Sequence, residues 1–184
     1  IPYRVKYVYQ SSKNNNETAY WKGTVRLDPV EKEEIVIAGF TGNHNIAHWG
    51  LSETEGIFNF DPSGIWYPHL EIVENVNKHQ PDVLFFSGDQ VYEGNSPTSV
   101  DRANYELDYL YKWYLYCLAY RNLTRDIPTI SIPDDHDVYQ GNLWGQNGRA
   151  TDKDDKGGYV HPAWFVKMVE RTQCSNLPDP YDPT

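Results

Sequence analysis

The chain has 184 residues, with 26 acidic and 16 basic side chains and a formal net charge of −10. This length is sufficient to bury a substantial core. The acidic balance argues against a broad nucleic-acid-binding surface, which requires clustered lysine and arginine. No window approaches the roughly 18 consecutive apolar residues that a membrane-spanning helix needs.

The cysteines and the two chain ends say little about the compartment. Cys117 and Cys174 are too few and too far apart for a disulfide framework. The apolar run around Cys117 predicts a buried free thiol. The chain begins with Ile, carries no targeting signal, and ends in the proline-rich sequence LPDPYDPT. We therefore expect it to be a segment of a longer protein.

The first part of the chain predicts a pair of antiparallel strands. IPYRVKYVYQ and AYWKGTVRLDP both alternate with a period of two, and the polar stretch SSKNNNET separates them. Two strands do not form a stable domain alone. We therefore expect this pair to complete a larger β-sheet.

From residue 33 onward, apolar strands alternate with helices. Residues 33–40, 83–87 and 127–132 contain short apolar runs, such as IVIAGF, which are typical of strands buried on both faces of a parallel sheet. Residues 65–80 predict a helix that begins near Pro68, and residues 101–121 predict a longer one. This order predicts an α/β fold with right-handed crossovers. The face that we expect the longer helix to bury comprises Leu107, Leu110, Tyr114, Cys117 and Leu118.

Polar loops follow all three predicted parallel strands: TGNHN, SGDQVYE and PDDHDVYQGN. Loops at the carboxyl ends of parallel strands converge on one edge of the sheet, so we expect Asn43, Asp89 and Asp135 to lie close together. Each motif also has an ordinary structural interpretation, because Gly-Asp is common in turns and Asp caps helices. His44 and His48, four residues apart, can share a helix face as metal ligands or be structural histidines.

Two of these motifs resemble those of one enzyme family. Gly88-Asp89-Gln90-Val91-Tyr92-Glu93 and Asp134-Asp135-His136-Asp137 are similar to the paired Gly-Asp-x-x-Tyr-Glu and Asp-Asp-His-Glu/Asp blocks of the PhoD-like (alkaline phosphatase D) metallophosphoesterases. The resemblance covers residues 34–184. It implies the N-terminal part of a layered α/β/β/α metallophosphoesterase-type sandwich that continues beyond the chain end. Residues 1–30 are similar to the last strands of the β-sandwich domain that precedes the catalytic domain in this family.

The resemblance also implies a role for each site residue. Asp89 would bridge two metal ions, Tyr92 would bind one of them as a phenolate, and Asp135 would bind the other. His136 would contact the phosphate and could protonate the leaving oxygen, and Asp137 would orient its imidazole, or stabilise the charged form, through a hydrogen bond. Relatives supply a Cys ligand from the loop after the first strand. Here Asn43 stands closest to that position, with His44 as the alternative.

The implied function is hydrolysis of phosphate mono- or diesters by a metal-activated water, with iron(III) and calcium, or manganese or magnesium, as the two ions. Arg149, in a long polar loop, is a candidate for binding the substrate phosphate, although a solvated loop is an equally good interpretation. Further ligands would come from the missing C-terminal remainder of the same protein, and relatives are commonly exported. The alternatives are a catalytically silent binding or assembly module with this fold, and a glycosidase that uses Asp89 and Asp135 as paired carboxylates.

Overall fold

The computed structural model describes residues 1–13, 15–42, 69–93, 104–140, 149–152 and 158–177. Within these ranges the chain is mixed α/β, with one antiparallel and one parallel sheet. The elements in chain order are β1 (Pro2–Gln10), β2 (Asn16–Thr24), β3 (Ile37–Phe40), α1 (Leu70–Lys78), β4 (Val83–Phe86), α2 (Tyr105–Thr124), β5 (Thr129–Ser131), a 3₁₀ turn (His136–Val138) and α3 (Ala163–Cys174).

The three apolar runs form a parallel sheet in the order β3-β4-β5, as the sequence predicts. α1 lies in the chain between β3 and β4, and α2 lies between β4 and β5. The central strand β4 buries Leu84 and Phe86 completely. Phe86 stacks on Phe40 of β3, with ring centroids 4.4 Å apart, and meets the edge of Tyr120 on α2 at 5.1 Å. Aromatic side chains bury large areas, so these contacts fix α2 against this face of the sheet.

The prediction that the strands are buried on both faces was wrong for β3 and β5. Ile37 is 64% exposed and Ile130 is 37% exposed. A continuous apolar run indicates that a strand has apolar side chains on both faces, but it does not show whether another element covers each of those faces. In the described part of the chain the helices pack on one face of the sheet, and Ile37, Ile130 and Ile132 lie on the surface.

The predicted buried face of α2 was also wrong. Leu107 and Tyr114 are 54% and 58% exposed, and the Cys117 thiol predicted to be buried belongs to an exposed residue. α2 carries apolar side chains on every side, so periodicity does not select one stripe, and the larger tyrosines take the interior positions. The side chains that α2 buries are Asp108, Tyr109, Lys112, Leu115, Tyr116, Ala119, Tyr120 and Leu123.

Among the described residues, the helix predicted for residues 65–80 runs from Leu70 to Lys78. α1 begins at Leu70, one residue after His69, and Pro68 lies outside the described residues. Val73 is the residue that α1 buries in the core.

β1 and β2 form the predicted antiparallel pair, from Pro2 opposite Thr24 to Gln10 opposite Asn16. The hydroxyl of Tyr3 and the backbone N–H of Thr24 both donate to the carbonyl of Arg125, at 3.0 and 3.2 Å. These bonds attach the ribbon to the end of α2. The domain boundary between residues 30 and 34 stays a prediction. None of the described helices is both long enough and apolar enough to cross a bilayer.

Candidate functional site

The loops after the three parallel strands meet at one edge of the sheet. The backbone N–H of Ser87 donates to the carbonyl of Phe40 at 2.9 Å, and that of Gly42 donates to Gly88 at 3.4 Å. The N–H of Ile132 likewise donates to Phe86 at 3.0 Å. The sequence thus places the polar motifs correctly at this edge. Asn43 and His44, predicted as ligands, follow Gly42 directly and lie outside the described residues.

A tight turn at Gly88-Asp89 brings the second loop against the third. Gly88 has φ +112° and Asp89 has φ +57°, both in the left-handed region. A Cβ on Gly88 would lie 2.4 Å from the Cβ of Asp134, a distance that no side chain tolerates. Glycine is therefore required here both for its backbone conformation and for the close approach of the two loops.

The turn places Asp89 next to Asp135 and His136. Potential ligand atoms of these three residues all lie within 4.8 Å of one another. The Oδ1 atom of Asp89 is buried and has no hydrogen-bond partner among the described residues. Burial raises the pKa of Asp89, against the lowering effect of its hydrogen bond with Tyr92. A buried carboxylate oxygen without a donor is costly, and a hard cation would satisfy it. The residues present therefore fit a metal ion.

Tyr92 lies beside this group. Its hydroxyl donates to Oδ2 of Asp89 at 3.0 Å, and its ring lies 4.5 Å from the His136 ring, centroid to centroid. Burial and the neighbouring Asp89 raise the pKa of Tyr92 well above its ordinary value, so the phenol is protonated at neutral pH. A strongly Lewis-acidic cation would have to displace that proton for Tyr92 to bind as a phenolate.

Glu93 holds the imidazole of His136. The Nδ1 atom of His136 lies 2.9 and 2.8 Å from the two carboxylate oxygens of Glu93. Burial lowers the pKa of His136, but the hydrogen bond and charge of Glu93 outweigh it, so the pKa is raised. The sequence motif contained Glu93, but no role was assigned to it. Its position in the Gly-Asp-x-x-Tyr-Glu block was the available signal.

The prediction that Asp137 orients the His136 imidazole was wrong. The 3₁₀ turn directs the Asp137 side chain inward, where it is fully buried. Burial raises the pKa of Asp137 to about 6, and the hydrogen bonds from its four donors oppose that effect. Asp137 therefore ties the two loops together from beneath. The donors to its carboxylate are the backbone N–H groups of Asp89 (2.8 Å), Val91 (3.0 Å) and Asp134 (2.9 Å) and the side-chain amide of Gln173 (2.8 Å).

Gln90 extends this buried support, and sequence reasoning missed it. Its carbonyl oxygen accepts from the N–H of Gly88 at 2.9 Å. Its amide nitrogen lies within hydrogen-bond distance of the Ile132 carbonyl and of Gln173, both at 2.9 Å. Gln90 thereby joins the Gly-Asp turn to the strand end of β5 and to α3. A glutamine in a polar loop carries no sequence signal for such burial.

Arg149 begins the short described stretch 149–152. Its backbone carbonyl accepts from the N–H of Tyr159 at 2.9 Å. A role of its side chain in phosphate binding stays a prediction.

No family model, curated protein or solved structure matches this chain. The described residues themselves define the class of protein: a mixed α/β chain with a group of two carboxylates and one histidine at the carboxyl edge of a parallel sheet.

Proposed function

We propose that the chain is part of a metal-dependent phosphate-ester hydrolase of the PhoD-like metallophosphoesterase type. The observation that carries this proposal is the convergence of Asp89, Asp135 and His136 within 4.8 Å, together with the buried Oδ1 of Asp89, to which no described residue donates a hydrogen bond. An ordinary Gly-Asp turn or helix cap does not account for both features.

The proposed fold is the corresponding part of an α/β/β/α sandwich. The exposure of Ile37, Ile130 and Ile132 supports it, because such a fold would pack a second sheet against that face. In the same proposal, residues 1–30 are the last strands of a preceding β-sandwich domain. The exposed β1–β2 ribbon agrees with this, since two strands alone are marginally stable.

The residues that would hold cations are Asp89, Asp135 and Tyr92, with Asn43 or His44 as contributors from the loop after β3. Their oxygen-rich character favours hard ions, namely iron(III) with calcium, manganese or magnesium. When bound, such a pair of cations acidifies water and offsets the charge that develops on a phosphoryl group.

The chain's own acid would be His136. Burial lowers its pKa, but the hydrogen bond and charge of Glu93 outweigh burial and raise it, which favours the protonated imidazole that a leaving oxygen needs. Glu93 grips Nδ1 and so leaves Nε2 to face a substrate. Asp137 would support the site indirectly, because its carboxylate fixes the backbone of the loops that carry Asp89 and Asp135.

The test combines metal analysis with activity. Purified protein is assayed for bound metals by elemental analysis and for hydrolysis of nitrophenyl phosphate mono- and diesters. We expect stoichiometric metal and turnover in the wild type, and loss of both in Asp89→Asn. The matched control is Asp126→Asn, which removes a carboxylate that pairs with Arg125 on the surface, and which should change neither.

Folded wild-type protein that binds no metal and hydrolyses neither ester would overturn the proposal. That outcome would favour the catalytically silent module. An Asp89→Asn variant with wild-type metal content would separately refute the bridging role of Asp89.

A further inference from the structure

α2 carries a buried ion pair that packing alone does not explain. Asp108 and Lys112 are 3% and 1% exposed, and the Nζ of Lys112 lies 2.7 Å from Oδ2 of Asp108. The other carboxylate oxygen, Oδ1, is buried, and no residue in the described part of the chain donates a hydrogen bond to it. Replacing a buried ion pair by apolar side chains of similar shape is often neutral or stabilising. A contribution to stability is therefore a weak explanation for its presence.

Each member of the pair holds one of the two loops that form the candidate site. Lys112 donates from Nζ to the backbone carbonyl of Tyr92 at 2.8 Å. Asp108 accepts from the hydroxyl of Tyr139 at 2.6 Å, and the Lys112 ammonium also lies 5.2 Å from the centroid of the Tyr139 ring. Tyr92 belongs to the loop after β4, and Tyr139 directly follows the turn that contains His136.

Tyr139 occupies a backbone conformation that needs support. Its φ is +57°, in the left-handed region that a bulky side chain rarely adopts. Such a conformation persists where surrounding contacts determine it. The bond to Asp108 and the packing of the Tyr139 ring against Phe165 and Tyr109 provide those contacts.

We propose that Asp108 and Lys112 are positioning residues for the candidate metal site. They clamp the Tyr92 loop and the His136 loop to one helix and thereby set the distance between the Tyr92 ring and the His136 ring. The part of this inference that concerns metal affinity rests on the proposed function, whereas the part that concerns loop geometry does not.

The experiment replaces the pair by apolar side chains of similar shape, Asp108→Leu with Lys112→Met. Because both charges leave together, no uncompensated charge remains buried, and we expect the variant to stay folded. The matched control is Lys167→Met with Glu170→Leu, which removes a helical ion pair whose side chains are about half exposed. Tyr139→Phe is a milder variant that removes one hydroxyl and keeps the ring.

Two measurements are made on each protein. The first is the nuclear Overhauser effect between the Tyr92 and His136 ring protons in metal-free protein, since the ring centroids lie 4.5 Å apart. The second is Mn²⁺ binding by titration calorimetry. We expect the double variant to lose the ring contact and to bind Mn²⁺ at least about ten-fold more weakly, as for other residues that orient metal ligands. The control pair should match the wild type in both.

A folded double variant with an unchanged ring contact and unchanged Mn²⁺ affinity would overturn the inference. If the double variant does not fold, Tyr139→Phe decides by the same two measurements. If the wild type binds no Mn²⁺, the proposed function fails, and the ring contact in the metal-free proteins still decides whether the pair positions the loops.

Discussion

Replacing Glu93 with Gln tests the proposed chemistry at one contact. The carboxylate lies 2.8 Å from Nδ1 of His136, and the two side chains are 36% and 29% exposed. A hydrogen bond between charged groups contributes about 1.5–3 kcal/mol when it is buried, and solvent screening at this exposure reduces that to about 1–2 kcal/mol. Glutamine keeps a hydrogen bond but removes the charge. We therefore expect kcat to fall roughly 5- to 30-fold, with metal content unchanged.

The assay compares two phosphate esters that differ in their leaving group. If His136 supplies the proton, the loss in Glu93→Gln is larger for a phenyl ester than for a nitrophenyl ester, because the poorer leaving group depends more on protonation. A double-mutant cycle with His136→Gln shows whether the loss of kcat in Glu93→Gln acts through His136. Equal losses from Glu93→Gln in the presence and absence of His136 would refute the reasoning, as would equal losses on both esters.

Three further predictions concern the supports of the site and the stability of the fold. Gly88→Ala should destabilise the protein by roughly 1–3 kcal/mol in guanidinium titration, because Gly88 has a positive φ and its added Cβ would lie 2.4 Å from Asp134 in the next loop. The control is Gly39→Ala, whose added Cβ would meet nothing within 4 Å. Asp137→Asn should cost roughly 1–3 kcal/mol in the same assay, since an amide cannot accept from all four N–H donors, and an unchanged midpoint would contradict the bracing role. The hydrogen bond from Lys32 lowers the pKa of Asp82 below its ordinary 3.8. The Lys32–Asp82 pair therefore stabilises the fold above pH 3.8, and this contribution is lost as the pH falls through the pKa of Asp82 in the folded protein. Lys32→Met should reduce the fall in the free energy of unfolding at acid pH, and an unchanged pH dependence would count against the pairing.

The strands were predictable because their short apolar segments directly indicate strands. β3 and β4 lie in short apolar runs bounded by polar loops, β5 lies in the short run IPTISI, and their length favours strands over helices. The orientation of α2 was not predictable in this way. Leucine and tyrosine occur on all of its sides, and the decisive feature is a pair of charged residues, Asp108 and Lys112, that any hydrophobic pattern assigns to the surface.

The candidate site, like the fold, was predictable only in part. The rule that loops converge at the carboxyl edge of a parallel sheet was sufficient to bring Asp89 and Asp135 together. The partner of His136 depended instead on side-chain direction within a few residues. Asp137 is adjacent in sequence, but the 3₁₀ turn points it inward, and Glu93 reaches the ring from 43 residues earlier. Local direction of this kind follows from backbone dihedral angles that the sequence motif does not state.

The number of donors bears on how many cations the site would hold. Calcium takes six to eight oxygen ligands and magnesium takes six, whereas the described residues proposed to hold cations offer the carboxylates of Asp89 and Asp135 and the hydroxyl of Tyr92. Two hard cations would therefore draw most of their ligands from water, from phosphate and from other parts of the protein. Gly42, the last described residue before this loop, lies close to Tyr92, since a Cβ built on Gly42 would be 3.3 Å from the Tyr92 hydroxyl. A second cation would therefore need further protein ligands, for which Asn43 and His44, directly after Gly42 in the sequence, are the proposed candidates.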